Sequence, residues 1–539
     1  MKHVWLYAIA FFLIFPSGNF SIAEIDDIPE WGFYVYMAGD NSLYEEAEDD
    51  LNEMKMVGSN EDLEIVVLSD QNLNDDSHAY RVIKHGLEET PLNEINPNWD
   101  NELDMGDGDT LRDFMTWASS EYPAKRKVLV IWNHGSGWEK VAEDKSSYLD
   151  VPEIRKSLEE YRTITGEPKL TMIGFDACSM GMFEIAYELK EQAEMIHGSE
   201  AYEPLEGWTY NHLLYKLKEE TTNEQFAHDI VNDYIESYRN GSVYTSYSVT
   251  ASVVDTSKLE ALWNNLDNLS TEINSILPLY YDEINTARGE TQRYDQNPNY
   301  RDLYDFAVNL EKNIPVTDVQ IEAKKLQNAL EHAVIAEDHW KKPDKLNVDN
   351  THGLTIYFPE NGADLGYSDL AISNNKWFEF IENFQNQINP ESYFTELNIE
   401  SIDTGTGYND SVVINGSYSG NASKIKIRLI NSEGIVTNTY DGEINNGNID
   451  SVFLQPTKSG NYSLEIGIYN NEGFLEDHQI NRDLFINLQL PDLAINTPKI
   501  MVTMEDGTIH QVQNIQEGDN FTINGEIQNI GTVKSNNIT

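Results

Sequence analysis

Four short apolar runs that alternate with helical segments constrain the fold of this chain more than any other feature of its sequence. Each run is long enough for one buried strand, and amphipathic helical periods separate the runs. The runs lie at residues 31–38, 63–69, 127–132 and the start of 170–189, and the helical periods at 43–56, 111–120 and 151–161. This alternation predicts a mainly parallel sheet with helices on both faces. Ser42 is the expected N-cap of the first helix.

The fourth run leads into Cys178, the only cysteine of the 539-residue chain. Apolar residues at helical spacing follow it, so the thiol is expected between a strand and a helix N-terminus. Free N–H groups at a helix start favour the thiolate, which is the nucleophilic form of cysteine. A buried core cysteine is the alternative interpretation.

A glycine-flanked histidine follows the third run, in the segment Asn133-His134-Gly135-Ser136-Gly137-Trp138. Functional side chains of parallel sheets gather at the carboxyl ends of strands, so His134 and Cys178 meet if their strands are neighbours. A histidine within hydrogen-bond reach can take the proton of a thiol. Taken alone, the segment could be a strand-exit turn. Its spacing matches neither the dinucleotide nor the Walker A phosphate motif.

The N-terminal residues 1–23 predict a secretory signal. A weakly basic start precedes an apolar run at 4–15 that is too short to span a bilayer, and small residues at 21–23 offer a cleavage site. An uncleaved N-terminal anchor is the alternative. We expect a secreted or cell-surface protein, in which a single cysteine leaves a free thiol or an intermolecular partner and no internal disulfide framework.

The charge balance is strongly acidic, with 92 acidic and 36 basic residues and a formal net charge of −56. Nucleic-acid binding is not expected, because the chain has no basic footprint. Acidity of this degree is compatible with solubility in salty surroundings, with binding of divalent cations and with attraction of cationic substrates. It does not decide between these three interpretations. No cofactor is required by any motif and no metal ligand is predicted. Calcium stays an open expectation, since acidic loops could supply oxygen ligands although no EF-hand spacing occurs.

Near Pro390 the helical periods stop and short alternating runs bounded by Asn, Gly and Ser begin. Such runs predict all-β sandwich domains of the immunoglobulin-like type. The predicted organisation is therefore an α/β domain at 28–388, a β-sandwich at 391–488, and the start of a further β-sandwich module at 491–539 that we expect to be truncated.

Two motifs together resemble the clostripain family of cysteine peptidases. They are the histidine segment after one strand and Asp176-Ala177-Cys178-Ser179-Met180 after the next. Segments at 31–41, 110–117, 199–208 and 353–359 also resemble that family, and the resemblance spans about residues 28–387. It implies a caspase/gingipain-like α/β/α sandwich and a secreted cysteine endopeptidase that cleaves after Arg or Lys. The implied partners are protein or peptide substrates. We expect a monomer whose C-terminal β domains attach it to a surface.

The resemblance implies a role for each residue that matches a position of the family's motifs. His134 would be the general base and acid, Cys178 the nucleophile, and the N–H groups of Gly135 and Cys178 the oxyanion hole. A basic substrate side chain needs a carboxylate, and the resemblance gives this role to Asp176 and Glu206. From the residues alone, Asp176 could instead be an N-cap or an indirect partner of the site, and Glu206 a solvated loop acid.

The resemblance also implies one activating cut between the histidine and cysteine segments, after a basic residue. Lys145 and Lys140 are the candidates in the polar segment 139–150, which we expect to be a flexible loop. Lys145 is the better candidate. The rival function is a surface adhesion or binding protein that keeps the fold without the activity. The intact pair of His134 and Cys178 argues against this rival, and the large β appendage argues mildly for it.

Overall fold

A computed structural model describes residues 28–72, 75–239, 247–294, 297–360, 363–386, 390–402, 411–456 and 458–486, with five short strands between 493 and 529. The predicted signal at 1–23 and most of 491–539 lie outside the described residues. The chain divides into two compact units. The first comprises Met1–Met180, Leu189–Thr256 and Ala336–Trp340, and the second comprises Gly181–Glu188, Ser257–Ile335 and Lys341–Thr539. Among the described residues, none of the helices combines the length and apolar character that a bilayer span requires.

Strands and helices are interspersed along the chain up to residue 386. The strands are β1 (Trp31–Ala38), β2 (Leu63–Asp70), β3 (Ser77–Ile83), β4 (Gly86–Thr90), β5 (Arg126–Trp132), β6 (Val141–Asp144), β7 (Ser147–Leu149), β8 (Leu170–Asp176), β9 (Ala193–Gly198), β10 (Val249–Asp255), β11 (Arg293–Tyr294), β12 (Asn297–Asp302), β13 (Val334–Trp340) and β14 (Thr355–Tyr357). The helices are α1 (Tyr44–Val57), α2 (Leu92–Ile95), α3 (Gly108–Glu121), α4 (Val151–Thr165), α5 (Phe183–Leu189), α6 (Tyr210–Lys216), α7 (Asn223–Arg239), α8 (Leu259–Glu290), α9 (Leu303–Asn313), α10 (Thr317–Ala333) and α11 (Lys376–Asn386).

The first unit is built around a nine-stranded sheet with the order β13-β10-β9-β8-β5-β1-β2-β3-β4. The five strands from β9 to β2 pair in parallel, whereas β10, β3 and β4 are antiparallel to their neighbours. The predicted mainly parallel sheet is confirmed. Every residue of β1, β2 and β8 is buried, as expected for parallel strands that are covered on both faces. At this side of the sheet β4 forms the edge, beyond β3.

Local sequence signals account for some helix ends and not for others. The carboxylate of Asp150 caps α4 by accepting a hydrogen bond from the N–H of Glu153 at 2.7 Å, and Gly166 ends that helix in the left-handed conformation. The prediction that Ser42 caps α1 is wrong. Leu43 occupies the N-cap position without a side-chain hydrogen bond, because the hydroxyl of Ser42 makes a different contact that belongs to the candidate site.

The second unit contains helices α8 to α11, a small sheet β11-β12-β14, and the C-terminal strands. One expectation in this part needs correction. The helical period of residues 317–337 predicts a single helix, but α10 ends at Ala333 and the chain continues directly as strand β13. The β-branched Val334 and Ile335 favour a strand at this point.

Seven strands after residue 392 form two antiparallel sheets, β15-β16-β19 and β18-β17-β20-β21. They are β15 (Tyr393–Ile402), β16 (Ser411–Ser419), β17 (Lys424–Asn431), β18 (Val436–Glu443), β19 (Asn448–Leu454), β20 (Gly460–Tyr469) and β21 (Leu475–Ile486). Alternating side chains of both sheets share one apolar core, which includes Val412, Ile414, Ile427, Leu429, Leu464 and Ile466. The expectation of β structure after an α/β region is confirmed. Short strands β22 (Leu493–Ile495), β23 (Met501–Met504), β24 (Ile509–Gln511), β25 (Phe521–Asn524) and β26 (Ile527–Asn529) follow.

Candidate active site

Strands β5 and β8 are neighbours and run in parallel, with Trp132 opposite Asp176 at the end of their pairing. The N–H of Asn133 donates to the carbonyl of Asp176 at 3.2 Å and extends the contact by one residue. His134 and Cys178 each lie two residues beyond the last Cα pair. The two strands are therefore neighbours, which is the condition under which His134 and Cys178 were expected to meet. The sheet brings both residues to the same end of adjacent strands.

Gly135 packs directly against the backbone of Cys178. A Cβ atom at position 135 would lie 2.3 Å from the carbonyl oxygen of Cys178 and 3.0 Å from its nitrogen. No side chain fits there without moving the main chain, so the histidine segment can approach the cysteine this closely only with glycine at 135.

Cys178 sits at a sharp turn and not at a helix start. The following residue, Ser179, has a φ of 62°, a left-handed conformation that is strained for serine, and its N–H donates to the carbonyl of Ala201 at 2.9 Å. Helix α5 begins only at Phe183. The expectation that Cys178 lies at a helix N-terminus is therefore wrong. N–H groups of loop residues lie near its sulfur instead.

The thiol of Cys178 is half-buried and touches the backbone of Glu203. The N–H of Glu203 donates to Sγ at 3.4 Å, and Sγ lies 3.6 Å from the carbonyl oxygen of the same residue. Burial raises the pKa of the thiol above its usual value, and the charge of Asp176 adds to this effect. The N–H groups of Glu203, Cys178 and Gly135 act in the opposite direction, because they stabilise a thiolate. The thiol is therefore neutral near pH 7.

His134 is oriented by Ser42, whose Oγ lies 2.8 Å from Nε2 of the imidazole. Burial lowers the pKa of His134 below its usual value. The neighbouring carboxylate of Glu143 partly opposes this effect and the ammonium of Lys140 reinforces it. Beside the histidine, the side chain of Asn133 accepts a hydrogen bond from the N–H of Glu143 at 3.0 Å. The imidazole of His134 and the thiol of Cys178 are thus both neutral, which is the protonation state that general-base catalysis requires.

Two buried carboxyl groups lie behind the thiol. Asp176 accepts hydrogen bonds from the hydroxyl of Tyr210 at 2.8 Å and from the N–H of Trp208 at 3.4 Å, and burial raises its pKa. Both carboxyl oxygens of Glu203 are buried, and neither makes a well-formed hydrogen bond to a described residue. Burial, together with the charge of Asp176, raises the pKa of Glu203 well above its usual value. The side chain of Glu206, by contrast, is exposed.

Sequence reasoning missed two of these residues, Glu203 and Ser42. Glu203 belongs to the same loop as Glu206, and no periodicity in a loop tells which acid turns inward. A serine just before a helix is typical of an N-cap. The sequence does not distinguish such a serine from one that contacts a distant residue, as Ser42 contacts His134. The glycine pattern around His134 and the unique cysteine were the two features strong enough to identify a site from sequence.

The segment 139–150, expected to be a flexible loop, contains the β6–β7 hairpin. Lys145 lies in its two-residue turn with a φ of 48°. The ammonium of Lys145 pairs with Asp40 at 2.8 Å and also contacts Glu102. Lys140 pairs with Glu143 at 2.7 Å. Both candidate cleavage residues therefore lie in ordered structure. The expectation of a loop without secondary structure is wrong, because β6 and β7 pair in this segment.

Comparison with known proteins places this geometry in context. The family model described as the clostripain family matches residues 35–401, which is more than half of the chain. Clostripain from Hathewaya histolytica is 23% identical over 444 residues, covering 66% of this chain and 80% of that protein.

Two solved structures from Bacteroides thetaiotaomicron share the fold. A secreted cysteine protease in complex with an irreversible peptide inhibitor is 20% identical with a TM-score of 0.50, covering 66% of this chain and 99% of that one. The secreted cysteine protease iotapain is 15% identical with a TM-score of 0.50 and the same two coverages.

Proposed function

Because this chain belongs to the clostripain family and is a cysteine endopeptidase that acts on proteins or peptides, we propose that Cys178 and His134 form its catalytic dyad. The placement of both residues two positions beyond the paired ends of adjacent parallel strands is the observation that carries this proposal. A catalytically inactive binding protein is not favoured by the family assignment.

The dyad would work by general-base catalysis. Ser42 occupies Nε2 of His134, so Nδ1 takes the proton of the thiol as Sγ attacks the substrate carbonyl carbon. The N–H groups of Gly135 and Cys178 donate to the resulting oxyanion. His134 then gives the proton to the leaving amine, and the acyl-enzyme thioester forms as the C–N bond breaks. A water molecule, deprotonated by His134, attacks the thioester and releases the acid and the thiol.

Alanine substitution at each position tests the dyad. Cys178→Ala and His134→Ala should each abolish cleavage of an Arg or Lys amide substrate, since one removes the nucleophile and the other its base. His228→Ala, an exposed histidine on α7, is the matched control and should keep full activity. A thiol-reactive peptide ending in a basic residue should label Cys178 in the active protein. Wild-type rates in either dyad variant would contradict the assignment.

We propose further that the enzyme cleaves after Arg or Lys, with Asp176 and Glu203 recognising the basic side chain. Burial raises the pKa of both carboxyl groups, and the charge of Asp176 adds to the effect on Glu203. Within the part of the chain that the structure describes, neither group forms an ion pair with a basic side chain. A guanidinium or ammonium group would supply the missing charge and the donors that the oxygens of Glu203 lack. Glu206 remains a proposed second acid, and its exposed position suits contact with the substrate near the surface.

Glutamine substitutions distinguish the contributions of Glu203 and Glu206 to recognition of the basic side chain. Glu203→Gln should lower kcat/KM for Arg and Lys substrates by about tenfold to a hundredfold, since a hydrogen bond to a charged group contributes about 1.5–3 kcal/mol. Glu206→Gln should change it by less than about threefold, as expected for an exposed charge. Alkylation of Cys178 by iodoacetamide checks that the thiol is intact. Loss of selectivity in Glu206→Gln alone would reassign the recognition to that residue.

We also propose that the protein is exported through the signal at 1–23 and acts outside the cell as a monomer, attached through its C-terminal β domains. Both structural relatives from Bacteroides thetaiotaomicron are described as secreted, which supports export. Activation by a cut after Lys145 or Lys140 belongs to the same proposal.

A further inference from the structure

Thr250 on β10 is a buried threonine whose hydroxyl contacts the segment 199–203, which follows β9. Its Oγ1 accepts hydrogen bonds from the N–H groups of Glu200 and Ala201, both at 3.0 Å, and lies 3.0 Å from Oγ of Ser199. Thr250 is 0% exposed, so water does not compete for these hydrogen bonds. One side chain of the sheet therefore holds three successive residues of this segment.

The chemistry of the groups determines the direction of each hydrogen bond. The hydroxyl of Ser199 lies 3.1 Å from the carbonyl oxygen of Ala201 and donates its one hydrogen there, because a carbonyl oxygen can only accept. Thr250 must therefore donate its own hydrogen to Oγ of Ser199, while its two lone pairs accept the two N–H groups. The donor and both acceptor sites of the Thr250 hydroxyl are thus used, which fixes the segment that it holds.

The segment 199–203 reaches Cys178 at two points. The carbonyl of Ala201 also accepts the N–H of Ser179 at 2.9 Å, and Ser179 has the left-handed φ of 62°. The N–H of Glu203 donates to Sγ of Cys178 at 3.4 Å, and the carbonyl oxygen of Glu203 lies 3.6 Å from the same sulfur. A strained backbone conformation persists only where its surroundings fix it, so the anchor of the segment also supports the turn at Cys178.

The N–H of Glu203 acts on the charge state of the thiol. Burial raises the pKa of Cys178, and among the groups that act in the opposite direction the N–H of Glu203 has the largest effect. An N–H group directed at sulfur stabilises the thiolate more than the neutral thiol. Glu203 lies two residues beyond Ala201, so the position of its N–H depends on the segment that Thr250 holds.

We propose that Thr250 is a positioning residue for the nucleophile, whose hydroxyl holds the segment 199–203 so that the N–H of Glu203 is directed at Sγ of Cys178. Negative charge develops on the sulfur as His134 takes its proton. It develops again when the C–S bond of the thioester breaks and the sulfur leaves with the electron pair, before His134 returns the proton. The benefit to catalysis rests on the proposed function, whereas the effect on the thiol can be measured without a substrate.

Alkylation of Cys178 by iodoacetamide, measured between about pH 6 and 10, tests this role because it requires no substrate recognition. Cys178 is the only cysteine of the chain, so the modified residue is unambiguous. Thr250→Val keeps nearly the same side-chain shape and removes the hydroxyl. The midpoint of its rate profile should move to higher pH, and the rate at pH 7 should fall by about threefold to tenfold. A smaller thiolate fraction causes the fall, and the greater nucleophilicity of a more basic thiolate offsets part of it.

Two further threonine variants distinguish the role of the hydroxyl from a general loss of stability. Thr250→Ser retains the hydroxyl and should keep the parental profile. Thr256→Val is the matched control, since Thr256 is also buried and its hydroxyl donates to the carbonyl of Ala193 at 2.8 Å, at the other end of β9. It should lower the Tm and leave the alkylation profile unchanged. Parental alkylation in a folded Thr250→Val protein, or a shift in Thr250→Ser as large as that of Thr250→Val, would overturn the proposal.

Ser199→Ala provides a second test, which applies even if Thr250→Val does not fold. It removes the donor to the carbonyl of Ala201 and keeps both N–H contacts of Thr250. The alkylation profile should move in the same direction as in Thr250→Val and by a smaller amount. If Thr250→Val is unfolded, an unchanged profile in Ser199→Ala would refute the positioning role.

Cleavage of Arg and Lys amide substrates separates this role from the proposed function. In Thr250→Val, kcat should fall at least about threefold, and Thr250→Ser should restore it. A shifted alkylation profile in a protein that cleaves no such substrate would leave the positioning role standing and reject the proposed function. Full activity of Thr250→Val together with parental alkylation would reject the positioning role and leave the proposed function standing.

Discussion

Ser42 and His134 illustrate how one hydrogen bond sets the chemistry of a residue. For Nδ1 to accept the thiol proton, the neutral imidazole must carry its hydrogen on Nε2, and that N–H then donates to Oγ of Ser42 at 2.8 Å. The same contact stabilises the imidazolium that forms after proton transfer. Ser42 is therefore a positioning residue in the proposed mechanism, in the place where other enzymes use a carboxylate or an amide.

Ser42→Ala should lower kcat by about tenfold with little change in KM, because a hydrogen bond to a group that becomes charged is lost. The acidic limb of the pH profile should also move to lower pH, since the imidazolium loses the acceptor that stabilises it and the pKa of His134 falls further. Steady-state kinetics between pH 5 and 9 measure both effects. Ser42→Thr should restore much of the rate. An unchanged profile would mean that Ser42 serves only the loop structure.

At the scale of elements, the β6–β7 hairpin decides whether the chain can be cut between its histidine and cysteine segments. A peptidase binds its substrate in an extended form, and the turn around Lys145 is closed by strand pairing and by ion pairs to Asp40 and Glu102. Cleavage after Lys145 therefore requires the hairpin to open locally.

Glu102→Gln should accelerate cleavage after Lys145 by a few-fold, because a partly exposed ion pair contributes up to about 1 kcal/mol to the closed state. Gel electrophoresis during maturation, with N-terminal sequencing of the fragments, measures the rate and the site. Lys145→Ala should abolish this cut. Lys140→Ala is the matched control and should be processed normally. Processing of Lys145→Ala at the wild-type rate would move the site to another residue.

At the scale of the whole molecule, the second unit joins helices and the β-sandwich through a few charged contacts. Asp318 on α10 pairs with Lys426 at 2.7 Å and also with Arg428, both on β17. On the same helix, the N–H of Thr317 donates to Glu465 of β20 at 3.0 Å. The sandwich and the helical part are thus linked by largely buried charges, and we expect them to support each other's stability.

Asp318→Asn should destabilise the second unit by about 2 kcal/mol, because it leaves the largely buried guanidinium of Arg428 without its charged partner. Hydrogen exchange measured by mass spectrometry should show faster exchange in α10 and β17 and unchanged exchange in β1 of the first unit. Glu382→Gln, an exposed change on α11, is the control. Equal exchange in the variant and the wild type would show that this contact contributes little.

The sequence by itself determined that two candidate residues stand just past the ends of parallel strands. Apolar runs that alternate with helical segments predict buried parallel strands, and residues just past the ends of such strands meet when the strands are neighbours. This is why His134 and Cys178 could be named before any coordinates, whereas the role of Gly135 came from the family resemblance and the pairing of β5 with β8 from the structure. Periodicity does not locate the boundary between a helix and a strand that follow each other directly, as at Val334. Apolar residues occur on both sides of that boundary.

Only the tertiary structure decided which polar side chains turn inward. Glu203 and Glu206 belong to one loop, yet the carboxyl oxygens of Glu203 are buried and the side chain of Glu206 is exposed. Ser42 looks like a helix cap until the fold brings His134 beside it. Asp40, Asp70 and Asp144 are far apart in the chain and form a group only when β1, β2 and β6 are placed together. Local propensity cannot encode such contacts, because their free energy depends on neighbours that the fold supplies.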